Sequence, residues 1–168
     1  MAVVDSAEAG LRAVARGATM IQLRAPNGTA RQVEIEATRL RGNAGVPILV
    51  SSRCDIALAV GLAGVNLPES DIAVRDARAL LEGRTVSRSV HSIAAAVEAE
   101  MDGADFVIFG PVWSTLSHPG RSAWGIEALK SVAGACTIPV IAIGGVTAER
   151  TAQVNAVCAG YAAISLFQ

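Results

Sequence analysis

IPVIAIGGVTAER, residues 138–150, decides how the rest of the chain is read. A β-branched run over 139–143 meets Gly144-Gly145 and then a helical stretch, 147–157, that opens with Thr147 and Glu149. Two residues without Cβ atoms let backbone N–H groups approach an anion, and a following helix adds positive potential. The same pair would also serve a plain tight turn. An open doubly wound sheet carries its glycine-rich phosphate turn after the first strand. Here several apolar runs precede it, and in a closed (β/α)8 barrel the loops after strands seven and eight form the phosphate cradle.

Working outward, seven runs read as strands: 19–23, 47–50, 64–67, 85–90, 105–109, 139–143 and 161–166. A short one at 2–4 precedes them. Helical patterns fill the gaps at about 6–16, 30–41, 54–61, 71–82, 93–102, 125–134 and 147–157. In the fifth, Ile93, Val97 and Met101 recur every four residues, and Ser92 is placed to cap its start. Gly17, Gly42, Gly61, Gly83, Gly103 and Gly160 stand where helices should stop. Eight strands, seven helices and no break in composition predict an α/β fold, a (β/α)8 TIM barrel over 1–168 as one domain. It is compact, or truncated at the first strand and the last helix, because barrels normally take about 200 residues or more. With no helix after strand eight, apolar surface should stay open near the chain ends, which predicts a homo-oligomer.

The composition agrees. Of 168 residues 52% are apolar, 17% charged and only 4% aromatic, so the core must be aliphatic. A net charge of −1 offers no basic stripe for nucleic acid and no polybasic membrane patch. The cations are thirteen Arg and one Lys, and Arg is the better bidentate anion binder. Cys54, Cys136 and Cys158 show no metal or disulfide spacing and read as core thiols of a cytoplasmic protein.

Barrel sites lie at the C-terminal ends of the strands. Walking that rim gives Gln22 and Arg24, then Ser51-Ser52-Arg53, then Asn66 through Asp71, then Ser89-Val90-His91. The loop GPVWSTLSHPGRSAWG, 110–125, follows strand six, and Ile164-Ser165 closes strand eight. The strand-six loop collects Ser114, Thr115, Ser117, His118 and Arg121 among three glycines and two prolines. A connector does not need so many donors. Pro111 and Pro119 stiffen the loop and lower the entropy of ordering it around a ligand. Trp113 and Trp124 read as packing residues, and Cys54 as core.

GADFVIFGPVWSTLSHPGR and IPVIAIGGVTAER together resemble the thiamine-phosphate synthase/TenI superfamily, supported by MIQLR, LVSSRCDIALAVGLAGVNLP and SVHSIAAAVEAE. The resemblance runs from about residue 10 to the end of the chain. It implies a (β/α)8 barrel that handles thiazole phosphate, the phosphate held by the strand-six hydroxyls beside the Gly-Gly turn. Thr115, Ser117 and His118 match the T, T and K of the synthase loop pattern. The substrate-binding set it implies is Gln22, Arg24, Arg53, Asn66, Ser89, Thr115, Ser117, Gly144, Gly145, Ile164 and Ser165.

The diphosphate side departs from the synthase pattern. Synthases show QxRxK, NDR and HLGQxD, with two aspartates for Mg²⁺. Here Pro26 replaces the Lys, Ser51-Ser52-Arg53 replaces NDR, and only Asp71 remains of the two aspartates. Ser52 is a poor substitute for a carboxylate. These departures are TenI-like, and they lead to a metal-independent thiazole tautomerase as the expected function. Some TenI tautomerases carry a His directly after the strand-six Gly, where this chain has Pro111. The proton shuttle is therefore expected at His118, with His91 second. Alternatives are a thiamine-phosphate synthase using Mg²⁺, held through Asp71, and a non-catalytic thiazole-phosphate binder or regulator. No cofactor is expected for the tautomerase.

Overall fold

The computed structural model describes residues 1–115 and 122–167. Eight parallel strands alternate with helices in the sheet order β1 to β8. They are β1 Ala2–Val4, β2 Ile21–Leu23, β3 Ile48–Ser51, β4 Gly64–Leu67, β5 Thr85–Val90, β6 Phe106–Phe109, β7 Val140–Ile143 and β8 Gly160–Ala162. The helices are α1 Ala7–Ala15, α2 Ala30–Asn43, α3 Cys54–Val60, α4 Val74–Leu80, α5 Ile93–Met101, α6 Gly125–Ala135 and α7 Thr151–Asn155. The barrel closes where Ala2 pairs with Ala163: Val3 N donates to Ala163 O at 3.0 Å and Ala163 N to Met1 O at 3.1 Å. The fold is the (β/α)8 barrel expected.

Two apolar cores follow from the period-2 alternation of strands buried on both faces. One face of each strand meets the helices, as Val107 and Phe109 do. The other faces the barrel axis, where Leu49, Phe106 and Ile108 cluster with Met20, Ile141 and Ile143. No helix among the described residues is long and apolar enough to cross a membrane.

Four sequence expectations change. On α5 the buried face is Ala96 and Ala99, while Ile93 and Met101 are 45% and 78% exposed. Small side chains let the helix sit close on the sheet, so the larger apolar ones are turned outward. Gly42 lies inside α2, and positive φ falls at Gly45 instead. Strand eight ends at Ala162, followed by a 3₁₀ turn at Ser165–Phe167. That turn brings Phe167 into the core, its ring stacked on Tyr161 with centroids 6.5 Å apart.

The strand-eight end is therefore covered. Among the described residues the exposed large apolar side chains lie elsewhere, Leu80 and Met101 foremost. The stretch read as one helix over 147–157 is a 3₁₀ turn, Ala148–Arg150, and then the short α7. Little helix dipole therefore stands behind the Gly144-Gly145 turn.

Candidate active site at the barrel mouth

A cavity of about 760 Å³ opens at the C-terminal rim. It gathers Gln22, Arg24, Asn66, Ser89, His91, Thr115, Gly144, Gly145, Ile164 and Ser165 from the expected set. Ile108 and Ile143 give it an apolar floor.

The β7–α7 turn owes its shape to three consecutive carbonyls tied to one side. Ile143 O accepts from Val112 N at 2.9 Å and Gly144 O from Trp113 N at 3.0 Å. Gly145 O accepts from Arg150 Nη1 at 2.6 Å. In a planar trans peptide the N–H points opposite to the carbonyl it adjoins. The amides of Gly144, Gly145 and Val146 are thus aimed away from these three partners, and all three residues line the cavity. Gly144 (φ 97°) and Gly145 (φ 65°) make this possible. A Cβ on Gly144 would meet Pro111 Cα at 2.6 Å, and one on Gly145 would meet Trp113 Cβ at 2.7 Å. The glycines serve both the turn and the close seat of the β6 loop.

A polar layer crosses the other side of the mouth. Gln22 Nε2 donates to Ser51 Oγ at 2.8 Å, and Asn66 Nδ2 to Ser89 Oγ at 3.0 Å. Ser87 Oγ, fully buried, donates to Asn66 Oδ1 at 3.0 Å. Gln22 is 3% exposed, and its Oε1 has no hydrogen-bond partner among the described residues. A buried acceptor without a donor awaits one.

His91 sits at the end of β5. Its Nδ1 is 2.5 Å from Gly110 O, and its Nε2 is 3.8 Å from Glu69 Oε2. Arg88 fixes the loop that carries Glu69, donating to Glu69 O and Ile72 O at 2.7 Å each.

Arg53 is not among the cavity-lining residues. Its guanidinium holds Asp55 in a bidentate pair, 2.8 and 2.5 Å, which pulls the Asp55 carboxyl below its ordinary range. Among the described residues Arg24 is the arginine that lines the cavity. Cys54 is buried, and burial pushes its thiol up, as befits an unreactive core group. Ser117 and His118 lie outside the described residues.

An Mg²⁺ site was expected only for a synthase, through Asp71. Asp71 Oδ1 instead accepts from the amide of Ile72 at 2.8 Å, and Asp71 does not line the cavity. Ser51 Oγ is engaged by Gln22, and Glu69 faces His91. Among the described residues no three His, Cys, Asp or Glu side chains converge on a point. This donor set does not fit a two-carboxylate metal site.

Sequence reading missed three contributors. Ser87 lies two residues before Ser89, so strand alternation puts both on one face, a usable signal. Glu69 was read only as part of the rim segment from Asn66 to Asp71. Arg150 carried no mark at all.

Fold and rim define a (β/α)8 barrel with its site built from βα loops and a glycine turn after β7. A family model described as thiamine monophosphate synthase matches residues 3–167, and the chain belongs to that family. It is 36% identical over 146 residues to a thiamine-phosphate synthase of Chloroflexus aurantiacus, covering 84% of this chain and 68% of that one. A thiamine-phosphate synthase of Pyrococcus horikoshii is 38% identical over 146 residues, with 85% and 70% covered. The solved thiamine phosphate pyrophosphorylase from Pyrococcus furiosus superposes with a TM-score of 0.88 at 29% identity, covering 97% of this chain and 83% of that one. The relatives carry the synthase name, so the tautomerase branch expected from the sequence gives way to the synthase alternative as the leading reading.

Proposed function

We propose that this chain is a cytoplasmic transferase of thiamine biosynthesis, one barrel domain over 1–168, that joins a thiazole phosphate to a pyrimidine diphosphate. The names of its relatives support the reaction. The observation that carries the phosphate half is the Ile143–Val146 turn, whose residues line the cavity while the carbonyls of Ile143, Gly144 and Gly145 are tied back. Several convergent donors are what a phosphate needs. Ser165 and Thr115 also line the cavity, and Ser117 belongs to the same proposal.

The pyrimidine half falls to the polar layer. Gln22 Oε1 accepts one ligand N–H, with Asn66 and Ser89 nearby and Ile164 as apolar wall. Arg24 offsets charge on a departing pyrophosphate as the new C–N bond forms. The experiment is condensation of the two halves, followed by pyrophosphate release with and without Mg²⁺. No product despite tight thiazole-phosphate binding overturns the reading.

One observation favours a second reading, the metal-independent tautomerase. His91 lines the cavity with a fixed ring orientation and a carboxylate facing it, a constellation suited to moving a proton. It would take a proton from the thiazole precursor and return it elsewhere on the same molecule, with His118 as the other candidate. Spectral aromatisation of the precursor tests this. Binding without either turnover leaves a non-catalytic binder. A homo-oligomer remains part of the proposal, for light scattering to decide.

A further inference from the structure

Arg150 does not line the cavity, yet it touches both the glycine turn and the loop that follows β6. Its Nη1 donates to Gly145 O at 2.6 Å, and its guanidinium carbon lies 4.9 Å from the centroid of the Trp113 ring. Trp113 in turn donates its amide to Gly144 O. One cation thus fastens the β7 turn to the loop that follows β6.

We infer that Arg150 is a positioning residue for the phosphate site, an inference that rests on the phosphate reading above. Glycine permits either orientation of the peptides around it at little cost. The Ile143 and Gly144 carbonyls are held by backbone amides of the β6 loop, a hold that no side-chain change removes. The Gly145–Val146 peptide is held by the Arg150 side chain. Turned over, that peptide would present a carbonyl oxygen where the anion needs the Val146 N–H, replacing attraction with repulsion. The contact with Trp113 adds a second effect. It anchors the start of the strand-six loop, two residues before Thr115, so that the loop and the turn are held at a fixed spacing. Arg150 acts on the anion through the backbone and through a ring, and touches it with neither.

The test uses inorganic phosphate and thiazole phosphate as probes. Trp113 and Trp124 are the two tryptophans of the chain, so a Trp124→Phe background makes Trp113 the reporter. In that background phosphate should change Trp113 emission. Arg150→Ala should weaken phosphate about ten- to a hundredfold, the scale of a hydrogen bond to a charged group. Emission should become insensitive to phosphate at concentrations that saturate the parent. In turnover, KM for thiazole phosphate should rise while kcat stays within about threefold. Arg150→Lys keeps the charge and a donor but not the planar fork, and should recover part of the affinity.

Arg150→Ala binding phosphate as tightly as the parent overturns the inference and leaves the phosphate reading standing. A parent that binds no phosphate overturns both. If Arg150→Ala does not fold, Arg150→Lys decides: affinity equal to the parent with the Trp113 response unchanged also overturns it.

Discussion

His91 Nδ1 lies 2.5 Å from the carbonyl oxygen of Gly110, and this contact fixes which ring nitrogen is basic. A carbonyl only accepts, so Nδ1 carries the hydrogen, and Nε2 faces Glu69 Oε2 at 3.8 Å. His91→Asn keeps a donor near the Nδ1 position and removes the imidazole ring. It should leave stability within about 1 kcal/mol. Aromatisation of the thiazole precursor should fall about 10²–10⁴-fold, and condensation of the two halves by less than about tenfold. Paired rate measurements separate the two reactions. Undiminished aromatisation removes His91 as the base and moves the role to His118.

Gly145 and Gly134 make a contrasting pair. At Gly145, φ is 65° and a Cβ would fall 2.7 Å from Trp113 Cβ and 2.8 Å from Ser114 O. Gly145→Ala should cost about 1–3 kcal/mol in urea unfolding, from left-handed strain and overpacking, and should weaken phosphate at least about tenfold. Gly134 sits inside α6 with nothing within 4 Å of its added Cβ. Gly134→Ala should stabilise the chain by about 0.5–1 kcal/mol and leave phosphate binding alone. Equal effects at the two sites would contradict this account of the turn.

The barrel was legible because short strand-like runs alternate with helical patterns, one after another, from Ala2 to Ala162. The candidate site was legible where it depends on backbone: Gly144 and Gly145 were expected at the rim after a seventh strand, and both line the cavity. It was less legible where a long side chain chooses among partners. Arg24 and Arg53 look alike in sequence, yet one lines the cavity and the other turns to Asp55, two residues away. Arg150 acts through the fold of two distant loops, and no spacing announces that. The α5 stripe misled because its alanines, not its larger apolar residues, could approach the sheet.

Gln22 separates stability from binding. Its Nε2 is bonded to Ser51, while Oε1 is buried without a partner among the described residues. Gln22→Met keeps the length and volume and removes the stranded acceptor. Unliganded stability should therefore change by less than about 1 kcal/mol, in either direction, since a lost bond and a relieved desolvation offset each other. Affinity for the pyrimidine diphosphate should fall about tenfold, because a ligand N–H then goes unpaired. Denaturation and calorimetry report the two quantities. A large stability loss with unchanged affinity would make Gln22 a structural residue.

Acid should act through carboxylates that the fold holds ionised, and Glu100 is the clearest. Thr137 approaches it with both its hydroxyl and its amide, the amide at 3.0 Å, and these hydrogen bonds hold the Glu100 carboxyl below its ordinary range. The contact ties α5 to the segment that leads into β7. A carboxylate with a lowered folded pKa binds fewer protons folded than unfolded. Its stabilisation is full above the unfolded value, about 4.3, and is lost as pH falls through the lower folded value. Glu100→Gln abolishes that titration while keeping an acceptor for Thr137. The wild-type advantage in Tm over the variant should be widest near neutrality and shrink below about pH 4. Asp55, held ionised by Arg53, titrates in the same direction and leaves the variant some acid sensitivity of its own. Thermal melts of both proteins from pH 7 to pH 3 check this. An advantage that stays constant, or widens in acid, would mean that the Glu100–Thr137 contact does not depend on charge.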